Sequence, residues 1–414
     1  MQSLGQHNNW GLDRINQRAL SLDESLHDAA DGTGVNIYII DTGVRRTHID
    51  FRDAHGNSRV TYVGDFCTGT LRTSSKELDT GDGYDGHGTH NASYAAGHMS
   101  GVAKNAKIFS LRASWQAPTT DPDDAANGGT ACGDQTNGRA NDQAVMQAVN
   151  WITHHGQKPA VVNLSFGAGS PQTQNAILGS IAAGFLYTLS GDTGGLVSDH
   201  WGTQVPTQAL VVGGTDMNDI PLGAGYGPLL ALFAPAQHLF GAGKASDDDY
   251  SIPEFDGCSQ TCRGGDSFAA PFVAGVAATY LHLHPDATPA QVRQAMISAA
   301  TPGVVKTDAS GEPNLLLRSL YRIAPSSGTG GKLNMITVRY LPSVDATGRA
   351  RAAGTRIAQC PPNCPLVGTP WGLGQIDETF QVAWQNFPLE VLRDPVRKAE
   401  ALSRLFGLAV PRRV

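Results

Sequence analysis

Apolar and polar positions along this chain recur in two periods, and their succession predicts an α/β fold. Val35-Asn36-Ile37-Tyr38-Ile39-Ile40 is a short run rich in β-branched residues, the pattern of a strand buried on both faces. Similar runs are Lys107 to Leu111, Ala160 to Leu164, Phe185 to Leu189, Leu210 to Val212 and Leu229 to Phe233. Between them lie helical patterns at His87 to His98, Asn141 to His154, Thr173 to Ala183 and Ser267 to His282. Thr288-Pro289 then supplies an N-cap and a first-turn proline for a helix through Ala299. Strands alternating with helices predict a mainly parallel sheet with helices on both faces. In such sheets the functional crevice sits at the carboxyl ends of the strands, which singles out Asp41, directly after the first run.

The pattern changes past Arg322. Ala324-Pro325-Ser326-Ser327-Gly328-Thr329-Gly330-Gly331 reads as a flexible linker by composition. Beyond it, Lys332 to Leu341 and Thr379 to Trp384 read as strands and Pro395 to Leu408 as an amphipathic helix. The expected organisation is a main domain over 1–323, a linker over 324–331 and a small C-terminal accessory domain over 332–414. No internal repeat is present.

Composition narrows the class. The chain has 414 residues, of which 40% are hydrophobic and 16% charged, with 49 glycines, as in a loop-rich folded protein rather than a disordered one. A net charge of -7 is small for this length and argues against nucleic acid as a partner. No stretch approaches the roughly 18 apolar residues of a membrane span, and no charged-then-apolar signal follows Met1. The six cysteines are Cys67, Cys132, Cys258, Cys262, Cys360 and Cys364, an even count that suits an oxidising compartment. Six cysteines allow fifteen pairings. The 258/262 and 360/364 spacings invite two local bridges, leaving Cys67 with Cys132; free thiols are the alternative. Zinc is disfavoured, because neither close pair is matched by a second Cys/His pair.

Three segments carry chemistry. Asp41-Thr42-Gly43 follows an apolar strand, His87-Gly88-Thr89-His90 heads a small-residue run, and Gly265-Asp266-Ser267-Phe268-Ala269-Ala270-Pro271 places a serine at a helix start with a proline in its first turn. Each has an ordinary reading as a turn, a capped helix or an N-cap. Together, Asp41, His87 and Ser267 stand in the order of the subtilisin type of catalytic triad. A serine hydroxyl needs a base, which His87 would supply, and Asp41 would hold the imidazole tautomer. The helix N-terminus behind Ser267 would favour a developing oxyanion.

On these residues the chain resembles the subtilisin-like serine peptidases (subtilases, peptidase family S8), and within them the proteinase K branch. Supporting segments are Gly101-Val102-Ala103-Lys104, Asn163-Leu164-Ser165-Phe166-Gly167 and Gly311-Glu312-Pro313-Asn314-Leu315-Leu316, so the resemblance spans about Trp10 to Arg322. It implies a subtilisin-like three-layer fold, serine endopeptidase activity on protein or peptide substrates, and a secreted, monomeric protein that needs no cofactor. The start MQSLGQHNNWGLDRI is similar to that of a mature peptidase domain, and the family's usual signal and folding propeptide are absent from this sequence.

Two positions depart from the family. Leu189-Ser190-Gly191-Asp192 stands where an Ala-Ala-Gly-Asn strand end normally lends an asparagine to the oxyanion hole, which puts Asp192 in that position. Losing one such donor in a subtilisin costs on the order of 10²–10³ in kcat. Aspartate also occurs there in a neuroendocrine proprotein convertase and in the acid-acting sedolisins. Asp266 replaces the threonine of a GTS motif. Two carboxylates near one serine predict that one must be protonated, hence activity at mildly acidic pH, unless Asp266 turns away and caps its helix. The rival expectation is a pseudopeptidase that binds extended peptides without cleaving them. A further one makes residues 332–414 an inhibitory or targeting segment.

The resemblance also implies a substrate edge at Leu164, Ser165, Phe166 and Gly167, where an extended peptide would add as a strand beside a roomy apolar pocket. The insertion between Ser114 and Arg139, with Asp121, Asp123 and Asp124, would alter the rim of that groove. Ala231 occupies the place of a calcium-binding aspartate, so that strong site is expected to be missing and no metal ligand is assigned. Asp247-Asp248-Asp249 is a candidate for weak structural calcium only. The sequons at Asn91 and Asn163 fall inside core motifs and are expected to be unused.

Overall fold

The computed structural model describes residues 10–20, 22, 30–67, 86–113, 142–167, 169–191, 195–223, 225–253, 264–307 and 311–320, with strands at 334–340, 354–360, 372–377 and 380–384. The chain divides into two units, Met1–Ile323 and Ala324–Val414. The first runs α1 (Trp10–Asn16), β1 (Asn36–Asp41), β2 (Val60–Asp65), α2 (His87–Ala96), β3 (Lys107–Arg112), α3 (Asp142–His155) and β4 (Ala160–Leu164). Next come α4 (Pro171–Ala182), β5 (Leu186–Ser190), β6 (Gly195–Leu196), α5 (Val197–Trp201), α6 (Val205–Gln208), β7 (Leu210–Thr215) and β8 (Gly225–Tyr226). The unit closes with β9 (Leu232–Pro235), β10 (Gly241–Ala242), β11 (Tyr250–Ser251), α7 (Asp266–Leu283), α8 (Pro289–Ala299), β12 (Thr301–Pro302) and β13 (Leu315–Leu316).

Among the described residues, nine of these strands form one sheet in the order β12-β13-β9-β7-β5-β4-β1-β3-β2. Every neighbouring pair is parallel except β12 with β13 at the edge. β1 lies inside the sheet with all six residues buried, which its unbroken apolar run requires. Its side chains alternate between two cores. Ile37 and Ile39 pack on the side of α2, α7 and α8, while Tyr38 and Ile40 pack on the side of α3, α4 and α5. The result is the expected three-layer α/β arrangement.

Most element boundaries follow the sequence pattern, and the exceptions have local causes. β2 was hidden because its residues, Val-Thr-Tyr-Val-Gly-Asp, mix exposed and buried positions at the sheet edge. The run from Leu229 opens as a turn, with the Leu230 N–H bonded to the Gly227 carbonyl at 3.2 Å, so β9 begins only at Leu232. α7 begins at Asp266, which makes Pro271 its sixth residue rather than part of the first turn. Lacking an N–H, Pro271 cannot donate to the carbonyl of Ser267 four residues earlier. α8 carries the full capping box of Thr288 and Gln291.

α7 is buried almost all round and could exist only as a central helix. Its small residues let α2 approach closely. A Cβ added at Gly275 would lie 2.6 Å from Val102 Cβ and 2.7 Å from the Ala95 carbonyl oxygen. That contact fixes the spacing of the two helices whose first residues carry the histidine and the serine.

In the second unit, β14 (Asn334–Tyr340), β15 (Gly354–Cys360), β16 (Gly372–Asp377) and β17 (Phe380–Trp384) form an antiparallel sheet in the order β15-β14-β17-β16. β14 and β17 coincide with the runs read from Lys332 and Thr379. The linker at 324–331, the helix expected at Pro395 to Leu408 and the insertion between Ser114 and Arg139 lie outside the described residues.

Candidate active site

β1 ends on Asp41 and the turn that follows is built for close approach. Gly43 has φ 119°, and a Cβ on Gly88 would lie 1.9 Å from the Gly43 carbonyl oxygen, so glycine is required where the α2 start meets this turn. Thr42 ties the two together by accepting the Gly88 N–H on Oγ1 at 2.9 Å. Gly86, in the left-handed region at φ 74°, turns the chain into α2.

The result is a short contact between His87 and Asp41. His87 Nδ1 lies 2.7 Å from Asp41 Oδ1, and Asp41 has no solvent exposure. An ionised carboxylate only accepts, so Nδ1 carries the hydrogen and Nε2 is left as the basic nitrogen. Asp41 Oδ1 also accepts the Thr42 N–H at 2.7 Å, and Oδ2 accepts from Asn91 Nδ2 at 3.0 Å. The His87 side chain keeps 11% exposure.

Ser267 is the second residue of α7 and is half-buried. Its N–H is among the first four of the helix, which have no acceptor within it. The next residue, Phe268, sets its ring 5.5 Å from the His87 ring and edge-on to Tyr94 at 5.7 Å. This aromatic contact, with the close approach at Gly275, brings the serine end of α7 alongside the histidine end of α2.

Asp266 turns into the protein. Its Oδ1 accepts the Gly214 N–H at 2.7 Å and its Oδ2 the Gly225 N–H at 2.9 Å, with the residue 2% exposed. Asp266 thus turns away, as the second expectation had it, but to other partners than the end of its own helix. The carboxylate does not cap its own helix; it pins the helix start to β7 and β8. A Cβ on Gly191 would come within 2.6 Å of Asp266 Oδ2, so the residue preceding Asp192 packs directly on this carboxylate.

The segment leading to position 192 is held firmly. Trp201, fully buried, donates its indole N–H to the Ser190 carbonyl at 2.9 Å, and the Gly191 N–H bonds the Val212 carbonyl at 2.8 Å. After Asp192, which lies outside the described residues, β6 pairs in parallel with β8, the strand that Asp266 holds.

At the expected substrate edge, Leu164 and Ser165 have no exposure, and Ser165 Oγ accepts from Asn163 Nδ2 at 2.8 Å. Their side chains belong to the core, leaving Phe166 and Gly167 half-buried beyond the strand end. Any pairing with an extended peptide here would use main-chain groups.

Ala231 is a buried methyl without an oxygen ligand. Asp247 accepts from Arg45 Nε at 2.8 Å and from Thr47 Oγ1 at 2.6 Å, Asp248 from Ser246 Oγ at 2.6 Å, and Asp249 from the Ala245 N–H at 3.1 Å. Among the described residues no group of three or more His, Cys, Asp or Glu side chains could hold a metal ion. Asn91 and Asn163, the two sequon asparagines, are fully buried. Cys67 is disulfide-bonded. Cys132, Cys258, Cys262 and Cys364 lie outside the described residues. No helix among the described residues is long and apolar enough to cross a membrane.

Comparison with known proteins bears on this site. A family model described as "Subtilase family" matches residues 32–319, which takes in Asp41, His87 and Ser267. The chain is 32% identical over 312 residues to the extracellular serine proteinase of Thermus sp. (strain Rt41A), covering 74% of this chain and 65% of that one. It is 31% identical over 324 residues to alkaline serine exoprotease A of Vibrio alginolyticus, covering 78% of this chain and 52% of that one. The chain therefore spans between about half and two thirds of these relatives' length. Among solved structures, a cold adapted subtilisin-like serine proteinase superposes with a TM-score of 0.61 at 30% identity, covering 76% of this chain and 99% of that one.

Proposed function

The chain belongs to the subtilase family, and we propose that it is a secreted serine endopeptidase that cleaves extended protein substrates through an acyl-enzyme on Ser267. The observation that carries the reading is the 2.7 Å hydrogen bond between His87 Nδ1 and the buried Asp41, which leaves Nε2 as the basic nitrogen. Secretion rests on the disulfide at Cys67 and on the extracellular relative.

Ser267 Oγ attacks the scissile carbonyl carbon while its proton passes to His87 Nε2. The tetrahedral oxyanion is met by the N–H groups at the α7 start and by the residue at position 192. When the C–N bond breaks, His87 returns the proton to the leaving amine. Water then attacks the acyl ester, giving its proton to His87, and collapse releases the acid and restores the Ser267 hydroxyl. Asp41 orients His87 and stabilises the imidazolium without taking the proton. The main chain of Leu164, Ser165, Phe166 and Gly167 would pair with that of the substrate.

Asp192 sets the pH range in this reading. Only its protonated form can donate to the oxyanion, which draws the optimum to mildly acidic pH, while His87 must stay neutral. Since Asp266 is engaged as a double acceptor, Asp192 is the acid whose protonation matters.

The test is hydrolysis of casein from roughly pH 4 to pH 10, run beside Ser267→Ala and Asp192→Asn. Loss in Ser267→Ala and a shift of the profile to higher pH in Asp192→Asn are the expected results. Silence across the range, relieved only in Asp192→Asn, would establish instead a peptide-binding pseudopeptidase, the reading favoured by the aspartate at position 192.

A further inference from the structure

Asn91 stands one helical turn after His87 in α2, so the two side chains share a face of the helix. It is fully buried, and its amide nitrogen lies 3.0 Å from Asp41 Oδ2 and 3.1 Å from His87 Nδ1. We propose that Asn91 is a positioning residue for the triad: its amide holds Asp41 by Oδ2 so that Oδ1 stays aimed at His87. The inference rests on the peptidase reading given above.

The donors around Asp41 support it. Oδ1 receives two hydrogen bonds, from the Thr42 N–H and from His87 Nδ1. Among the described residues, Oδ2 receives one, from Asn91. Without it, one oxygen of a carboxylate with no solvent exposure would have no donor, and the group would be free to rotate about its Cβ–Cγ bond. An acceptor-only carboxylate also fixes the amide orientation, since the flipped amide would set oxygen against oxygen.

That orientation leaves the Asn91 Oδ1 atom buried with no hydrogen-bond partner. The neighbours Ala92, Tyr94, Ala95 and Ala96 are buried in the apolar core, and packing gives no reason for an amide among them. A buried amide whose oxygen has no partner carries an uncompensated desolvation cost, which its single hydrogen bond to Asp41 must offset. The residue therefore makes sense as an orienter of Asp41 rather than as a piece of the core. The carboxylate in turn sets the direction of the imidazole, and small misplacements of catalytic groups are expensive in rate.

The closest apolar shape to asparagine is leucine. Asn91→Leu is expected to melt below the wild-type temperature, because Asp41 Oδ2 is left without its donor, and, assayed below its melting range, to show kcat lowered roughly tenfold or more with KM within about twofold. The second readout needs no turnover. In a Ser267→Ala background, the His87 Nδ1 proton bonded to Asp41 is expected at far-downfield positions in the proton NMR spectrum. Asn91→Leu should move it further downfield, because Asp41 loses a competing donor.

Should leucine overfill the site and unfold the chain, Asn91→Ala carries the same readouts. An unmoved resonance, with kcat unchanged in the active background, would overturn the proposal. A wild-type chain that never cleaves casein would defeat the peptidase reading alone, because the resonance would still test Asn91.

Discussion

Replacing Asp266 by alanine removes, in one change, the acceptor of two buried backbone N–H groups on two different strands. Gly214 and Gly225 are both buried, and the 2.7 and 2.9 Å bonds run to separate oxygens of one carboxylate. A hydrogen bond to a charged partner contributes about 1.5–3 kcal/mol net, and each buried donor left unsatisfied costs about 1–3 kcal/mol. Water entering the vacated space offsets part of this, which gives an expected loss of about 3–5 kcal/mol for Asp266→Ala. At roughly 2 °C per kcal/mol for a domain of this size, Tm should fall by about 6–10 °C. Asp266→Asn and Asp266→Thr each keep an acceptor for one of the two donors, so both should fall between alanine and wild type. The assay is denaturant unfolding of all four chains under one condition, made in the Ser267→Ala background to suppress self-digestion. An alanine variant within about 1 kcal/mol of the parent would refute the reasoning, because two orphaned buried donors cannot be that cheap.

Three further outcomes follow from the same geometry. Gly275→Ala should destabilise by about 1–3 kcal/mol through overpacking against Val102 and the Ala95 carbonyl, and steady-state assays below its melting range should show kcat lowered as α2 and α7 are pushed apart. Arg14 and Asp219 form a bidentate pair at 2.7 and 2.9 Å with at most 1% exposure. Arg14→Ala should therefore cost about 3–5 kcal/mol by urea titration, whereas methionine at position 14 paired with leucine at 219 should recover much of that. Burial pushes the His48 imidazole below the ordinary value of 6.5. The unfolded chain then binds protons at a higher pH than the folded one. The contribution of His48 is fully present above pH 6.5 and is lost as pH falls toward the folded value. Calorimetry should show Tm declining below that pH, and a Tm that rises on acidification would contradict the assignment.

How much of this was legible in the sequence depended on whether the signal was local. The strand run from Val35 and the Thr288-Pro289 cap follow from periodicity and capping chemistry within a few residues, and both elements formed within a residue of the reading. Asp41 was readable because sheets of this kind place their sites at strand ends. The partners of Asp266 were not readable, since they lie 52 and 41 residues away and are backbone groups that no side-chain pattern announces. The burial of the Leu164 and Ser165 side chains was not readable either, because the resemblance that marks their segment as a peptide-pairing edge concerns the main chain and says nothing of where the side chains go. Asn91 was read only as a sequon. The signal that could have found it was an amide four residues after the histidine, on the same helix face, in a run otherwise made of small and apolar residues.

The central claim is that Ser267 is a nucleophile activated by His87, and active-site labelling tests it most directly. The folded chain would be treated with a fluorophosphonate at neutral pH and digested, and the adduct located by mass spectrometry, beside Ser267→Ala and His87→Ala controls shown to be folded by their melting curves. The account predicts a single adduct on Ser267, absent in Ser267→Ala and nearly absent in His87→Ala. A folded wild-type chain that takes no label, or takes it equally without His87, would contradict it.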